Sequence, residues 1–116
     1  MLVPDWVRFI RYFWDLPTLP GGRYRGLKYD TRNMAANGLN NASPLQVIGM
    51  ASKSTTVDHQ WLGDLDVLWN VGGTAVDITP DELFGLNDIN DAGWIAGAAP
   101  AVDSGVYRAV MLIPSR

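Results

Sequence analysis

Alternating apolar and polar residues in the second half of the chain predict β-strands. Between residues 61 and 69, Asp64 and Asp66 alternate with aliphatic or aromatic residues, which is typical of a half-buried strand. The Gly72-Gly73 pair that follows indicates a hairpin, and residues 75–78 return as its second strand.

Shorter apolar runs predict the remaining strands. These are residues 45–49, 86–89, 94–96 and 106–113, together with residues 9–14, whose aromatic content favours a strand over an amphipathic helix. Residues 90–93, Asn-Asp-Ala-Gly, predict a tight hairpin, since Asn and Asp favour early turn positions and Gly accepts a left-handed conformation. Residues 23–37 predict a loop, residues 51–58 a loop or edge strand, and residues 80–83 one helical turn capped by Thr79.

Two stretches of the chain recur at a period of about 50 residues, within the range of propeller-type repeats. Leu39–Ser43 returns as Ile89–Gly93, and Gln46–Gly49 returns as Trp94–Gly97 once Pro44-Leu45 is taken as an insertion. Asp-aliphatic pairs precede the two copies, and apolar strands follow them: Asp15-Leu16 and Asp77-Ile78 before, and 65–69 and 108–112 after.

The repeat predicts an all-β fold of antiparallel sheets, built from two tandem propeller-blade-like units in a single domain, 1–116. The units span about residues 13–69 and 76–114. Two blades leave sheet edges unpaired, so we expect closure by homo-oligomerisation, with self-association as the leading interaction.

These residues resemble the HAF-repeat family. Asp15–Gly22 looks like the family's Asp-Leu-Gly-Thr-Leu-Gly-Gly element, and Ile89–Gly97 looks like its Ile-Asn-Asp-x-Gly-x-Val-Val-Gly element. The end of its His-Ala-Phe-Leu-Trp strand is similar to Tyr12–Trp14 and Val67–Trp69, so the resemblance covers most of the chain from residue 10 onward. It implies a bacterial protein of the extracellular type and carries no established chemistry.

The chain departs from this family at the eponymous histidine. No His precedes Phe13, and Arg108 occupies the position in the last copy. For the middle copy, both residues 59–62 (His-Gln-Trp-Leu) and residues 65–69 fit the repeat strand, and the sequence leaves both alignments open.

Composition narrows the function classes. The chain has 116 residues, a net charge of −3, no cysteine and a pI near 4.8. We therefore expect no nucleic-acid partner, because the basic patch that phosphate binding needs is missing. No apolar run reaches the ~20 residues of a membrane span, and the N-terminal stretch lacks a signal-peptide pattern, so no membrane contact is expected and the compartment stays unassigned.

Four residues are the candidate binding residues: His59, Trp61, Asn90 and Asp91. No catalytic residue, metal site or cofactor is expected. The oxygen-rich run 87–93 does not fit a calcium loop, because Ala92 occupies a ligand position; a hairpin explains it better.

Two functions follow from these features. The first is a non-enzymatic repeat-type binding or interaction module, for a carbohydrate or a protein. The alternative is a hydrolase in which His59 works with a nearby serine, Ser52 or Ser54, and a neighbouring aspartate, although no nucleophile motif accompanies them.

Overall fold

The computed structural model describes residues 15–79, 85–100 and 105–115. Within these ranges the chain forms eight strands and no helix. The strands are β1 (Gly22–Tyr24), β2 (Leu27–Leu39), β3 (Gln46–Thr55), β4 (Trp61–Asn70), β5 (Ala75–Asp77), β6 (Gly85–Ile89), β7 (Ile95–Pro100) and β8 (Tyr107–Leu112).

The strands form two antiparallel sheets. Five strands in the order β1-β2-β3-β4-β5 make a sheet that curls into a half-barrel, and three in the order β6-β7-β8 make a second sheet. The predicted all-β class with antiparallel sheets is therefore confirmed, as are the hairpins at Gly72-Gly73 and at residues 90–93. The strand predicted at 9–14 and the helical turn predicted at 80–83 lie outside the described residues.

The loop predicted at residues 23–37 is wrong, because this stretch forms β1 and most of β2. Arg25 and Gly26 connect the two strands with φ values of 50° and 80°. Positive φ at both central residues characterises the type I′ turn, whose twist suits a two-residue hairpin. The flanking positive charges and the exposure of most of β2 hid the strand pattern.

The loop or edge strand predicted at residues 51–58 is wrong for residues 51–55, which form the second half of the central strand β3. Polar side chains are tolerated there because they are hydrogen-bonded. Ser52 Oγ donates to Asp64 Oδ1 at 2.7 Å, and Thr55 Oγ1 accepts the Gln60 amide at 2.8 Å. A satisfied hydroxyl can be buried at little cost, so polarity alone does not mark a loop.

The two sheets pack against each other through one apolar cluster. From the five-stranded sheet, Ile48 is fully buried and Leu68 packs beside it. From the three-stranded sheet, the cluster takes Leu86, Ile89, Ile95 and Ala99, with Val110 and Leu112 alongside. We call these two surfaces the inner faces of the sheets.

A second apolar cluster lies on the opposite side, the outer face of the five-stranded sheet. It contains Ala51, Val67 and Trp69, which alternate along their strands with the inner-face residues. The segment before β1 crosses this face and is fixed by two hydrogen bonds: Trp69 Nε1 to the Pro17 carbonyl at 2.7 Å, and Thr31 Oγ1 to the Leu19 carbonyl at 2.8 Å.

Candidate functional site

The ladders of the two sheets repeat each other residue for residue. Val47 pairs with Leu39 on one side and Trp69 on the other, and Ile95 pairs in the same way with Ile89 and Leu112. The equivalence continues through the next positions of each strand. We therefore call β2-β3-β4 the first unit and β6-β7-β8 the second unit.

The same ladders decide between the two alignments that the sequence left open. In the first unit, residues 65–69 lie opposite residues 47–51. In the second unit, residues 108–112 lie opposite residues 95–99. Residues 65–69, and not 59–62, are thus the structural counterpart of 108–112.

A β-bulge occurs at the same place in both units. The register shifts between Ala36 and Gly38 in β2, and between Leu86 and Asp88 in β6. The extra residue is Asn37 in one unit and Asn87 in the other. Bulges redirect side chains and are specific features of a strand, so a shared bulge indicates a shared backbone plan.

The turns of the two units use the same asparagine side chain. Asn40 Oδ1 accepts the amides of Ala42 at 3.2 Å and Gln46 at 2.8 Å. Asn90 Oδ1 accepts the amides of Ala92 at 3.0 Å and Trp94 at 2.9 Å. Each asparagine therefore closes its own hairpin, as Asn commonly does in turns.

Hydrogen bonds join the first unit to the second near these turns, each linking near-equivalent positions. Asn40 Nδ2 donates to the Asn90 carbonyl at 2.9 Å, and the Asn41 amide donates to Asp91 Oδ1 at 2.8 Å. The bulge residue Asn37 donates through Nδ2 to the Leu86 carbonyl at 3.4 Å. The inner interface is thus a contact between one repeat unit and the next.

The donors that make this contact have counterparts in the second unit, where they are exposed. Asn87, Asn90 and Asp91 are all exposed. Within the described part of the chain, the side-chain amides of Asn87 and Asn90 and the backbone amide of Asp91 make no hydrogen bond. The second unit therefore presents the donor set that the first unit has used.

The outer face of the three-stranded sheet carries apolar side chains that no described residue covers. Met111 is 52% exposed and Tyr107 is 71% exposed, and both alternate with the inner-face residues of β8. Met111 pairs with Ala96, which is also exposed. By ladder position, Ala96 and Met111 are the counterparts of Ile48 and Leu68, the inner-face residues of the five-stranded sheet.

A cleft opens on the outer face of the five-stranded sheet. Its volume is about 660 Å³, and its lining is mostly apolar, including Leu16, Ala36, Leu39, Leu45, Val47 and Val71. Ala36, Leu39 and Val47 are the ladder counterparts of Leu86, Ile89 and Ile95, which hold Ile48 at the inner interface. Leu39 is 60% exposed, whereas its counterpart Ile89 is 5% exposed. The cleft therefore lies where a preceding unit would pack.

The four candidate binding residues divide between the two ends of β3. Asn90 and Asp91 lie in the second unit's turn, beside the turn that precedes β3. His59 and Trp61 lie at the opposite end, in and after the turn that follows β3. The structure thus brings each pair together but keeps the pairs apart.

Trp61 is 62% exposed, and its ring nitrogen donates to Asp64 Oδ1 at 2.8 Å. An exposed ring with an anchored edge is the kind of surface on which sugar rings stack. Carbohydrate binding at Trp61 stays a prediction.

The residues of the hydrolase alternative do not form a relay. Ser52 Oγ donates to Asp64, while His59 is exposed in its turn with a φ of 55°. Within the described residues the imidazole has no hydrogen-bond partner. A serine hydrolase needs its base in reach of the nucleophile, and this geometry does not supply that contact.

Comparison of the chain with protein-family models, with curated proteins and with solved structures finds no match. Among the described residues, no group of three or more His, Asp or Glu side chains is arranged to hold a metal ion. The same residues include no helix of the length and apolarity that crossing a membrane requires.

Sequence reasoning missed Asn37, Asn40, Leu39 and Met111. Extending the aligned repeat by two residues toward the N-terminus would have paired Asn37 with Asn87. No sequence pattern indicated that Leu39 and Met111 are exposed, because that depends on how the two sheets stack.

Proposed function

We propose that this chain is a non-enzymatic interaction module of the repeat type, and that it binds further protein repeat units through its two outer faces. One observation carries the proposal. Several residues of the contact between the two units have counterparts, one repeat along, that are exposed: Ala96 and Met111 on one outer face, Ala36 and Leu39 on the other.

The apolar part of the contact supports a protein partner. A sheet face that exposes Met111 and Tyr107 beside Ala96 is apolar over adjacent strands. Contiguous exposed apolar patches of this kind mark sites of protein association. Most of the side chains that surround the cleft on the opposite outer face are apolar as well.

The hydrogen bonds between the two turns support a partner that is itself a repeat unit. The Asn40 amide matches a carbonyl of the second unit at 2.9 Å, in a turn with the same internal hydrogen bonds. The free amide of Asn90 is suited to a carbonyl placed in the same way. Such a carbonyl belongs to the turn of another unit.

The proposal also includes the HAF-repeat relationship and a blade-like character for each unit. Ile89–Gly97, which carries part of the resemblance, comprises the last residue of β6, the turn and the first three residues of β7. Families of this type repeat their unit along a chain, which agrees with faces that pair unit to unit.

Light scattering after size exclusion, performed on the full chain over a wide concentration range, tests the proposal. We expect the average molar mass to rise with concentration above that of one chain. A mass of one chain at every concentration would overturn the proposal.

A further inference from the structure

The two outer faces differ in kind, so a contact between them is not a contact between identical surfaces. We define the leading face as Asn87, Asn90, Asp91, Ala96 and Met111 of the second unit. We define the trailing face as Ala36, Leu39, Asn40, Asn41 and Val47 of the first unit. By ladder position, the leading face holds the counterparts of the first unit's residues at the inner interface, and the trailing face holds the counterparts of the second unit's residues near the turn. The remaining counterparts, Ala51, Val67 and Trp69, lie under the segment before β1 and stay outside the trailing face.

We propose that a second copy of this chain docks its trailing face on the leading face of the first, repeating between molecules the part of the inner interface that lies near the turns. This inference rests on the proposed function, since it names the partner of the same faces. The contact is heterologous, so each chain keeps one free face and the assembly grows head to tail, into a ring or an open filament.

The hydrogen-bond donors of the leading face meet suitable acceptors in this arrangement. The Asn90 amide reaches the Asn40 carbonyl of the second copy, as Asn40 reaches Asn90 within one chain. Within the described residues, that Asn40 carbonyl makes no other hydrogen bond. The Asp91 amide reaches Asn41 Oδ1 of the second copy, because Asn and Asp both carry an acceptor at that atom.

The close approach at the bulge is also preserved. At the inner interface Gly38 lies against Asp88, and a Cβ added to Gly38 would stand 3.6 Å from the Asp88 Cα. Between molecules the roles reverse: Asp88 of one copy meets Gly38 of the next. Asp88 then carries a side chain where Gly38 has none, and a Cβ at that position stands 3.6 Å from the facing Cα, an ordinary van der Waals distance.

The apolar contact is smaller than the inner one. Ile48 is replaced by Ala96, and the pocket residues Leu86, Ile89 and Ile95 are replaced by Ala36, Leu39 and Val47. Less apolar area is buried, so the contact between copies is weaker than the contact within a chain. A weak, concentration-dependent association is the expected behaviour.

The sharpest test of a head-to-tail contact mixes two variants, one with a disrupted leading face and one with a disrupted trailing face. Met111→Glu places a charge on the leading face, and Leu39→Glu places one on the trailing face. Both residues are at least half exposed, at 52% and 60%, so each single chain keeps its core. Val57→Glu, at a position 82% exposed in the turn after β3, is the matched control. Leu45→Glu, in the same cleft, serves as a second trailing-face variant if Leu39→Glu fails to fold.

We expect each face variant alone to weaken self-association by about tenfold or more, because an unpaired charge resists burial, while the control associates like the parent chain. Mixing the two face variants restores a complex of one copy of each and nothing larger, since only one intact pair of faces remains.

The outcomes separate the two proposals. If the parent chain associates but the mixture stays monomeric, the head-to-tail contact is overturned and the interaction module stands. If the parent chain is monomeric at every concentration, both fall.

Discussion

The two hairpin turns share the same asparagine hydrogen bonds in two different environments. Asn40 is 6% exposed, and its amide bonds both Gln46 Oε1 and the Asn90 carbonyl at 2.9 Å. Asn90 Oδ1 accepts two amides of its own turn, as Asn40 Oδ1 does, but Asn90 is exposed. The turn geometry is therefore a property of each unit, whereas the burial of its asparagine comes from the neighbouring unit. Substitutions at paired positions separate the two contributions.

The largest difference is expected between Ile48 on the inner face of the first unit and Met111 on the outer face of the second. Ile48→Ala should lower the free energy of unfolding by about 2–5 kcal/mol, because Ile48 is fully buried between the sheets. Met111→Ala, on the exposed outer face, should lower it by less than about 0.5 kcal/mol. Urea denaturation of both variants measures the difference. Equal losses would show that the two faces are not in the different environments described.

The next difference lies in the turns. Asn40→Ala should cost about 1–3 kcal/mol more than Asn90→Ala, because only the first change also removes the two hydrogen bonds that the Asn40 amide donates, to Gln46 Oε1 and to the Asn90 carbonyl. Both variants lose the bonds that close their own turn, so these losses cancel in the comparison. Paired denaturation curves at low protein concentration give the difference. An equal loss of unfolding free energy in the two variants would contradict the stabilising role of the Asn40 amide at the unit contact.

Converting the second unit toward the first should strengthen association. Ala96→Ile installs the counterpart of Ile48 on the outer face and should tighten self-association by about tenfold, corresponding to ~1.4 kcal/mol of added apolar burial. The stability of the single chain should change little, because Ala96 is exposed. Sedimentation velocity of the variant beside the parent chain measures the shift. Val57→Ile adds a methylene at a distant exposed site and should leave association unchanged.

The smallest effect is expected at the bulge residues. Asn37→Ala should lower stability by about 0.5–1.5 kcal/mol, the usual value of one hydrogen bond, since Asn37 donates to Leu86 at 3.4 Å. Asn87→Ala should have no measurable effect on the single chain. Thermal denaturation resolves the pair. A loss at Asn87 as large as that at Asn37 would mean that the bulge side chain stabilises its own unit.

The sequence predicts the second half of the fold better than the first. Residues 61–69 and 106–113 alternate clearly because every second side chain packs in one cluster: Leu65, Val67 and Trp69 in the outer one, and Val110 and Leu112 in the inner one. β2 lacks that pattern, since twelve of its thirteen residues are exposed or half-buried and only Thr31 is buried. Its pairing with β3 over most of its length comes from tertiary structure, which overrides local preference.

The candidate site was only partly predictable for a similar reason. The repeat pointed to Asn90 and Asp91, which belong to the leading face. His59 and Trp61 are candidates only because of their imidazole and indole side chains, and they lie at the other end of β3. The sequence does not predict that Leu39 and Met111 are exposed, because the exposure of an apolar strand residue depends on where the second sheet packs.

The shared bulge has a consequence for how this chain can change its length. A residue gained or lost in a strand moves every later side chain to the opposite face. The first unit has two more turn residues than the second, Pro44 and Leu45. Because this insertion lies in the turn, the pairing of the flanking strands keeps the same register in both units. The bulge, in contrast, is kept in both. The chain thus has the form of a gene duplication in which turns were free to diverge and strand phase was not.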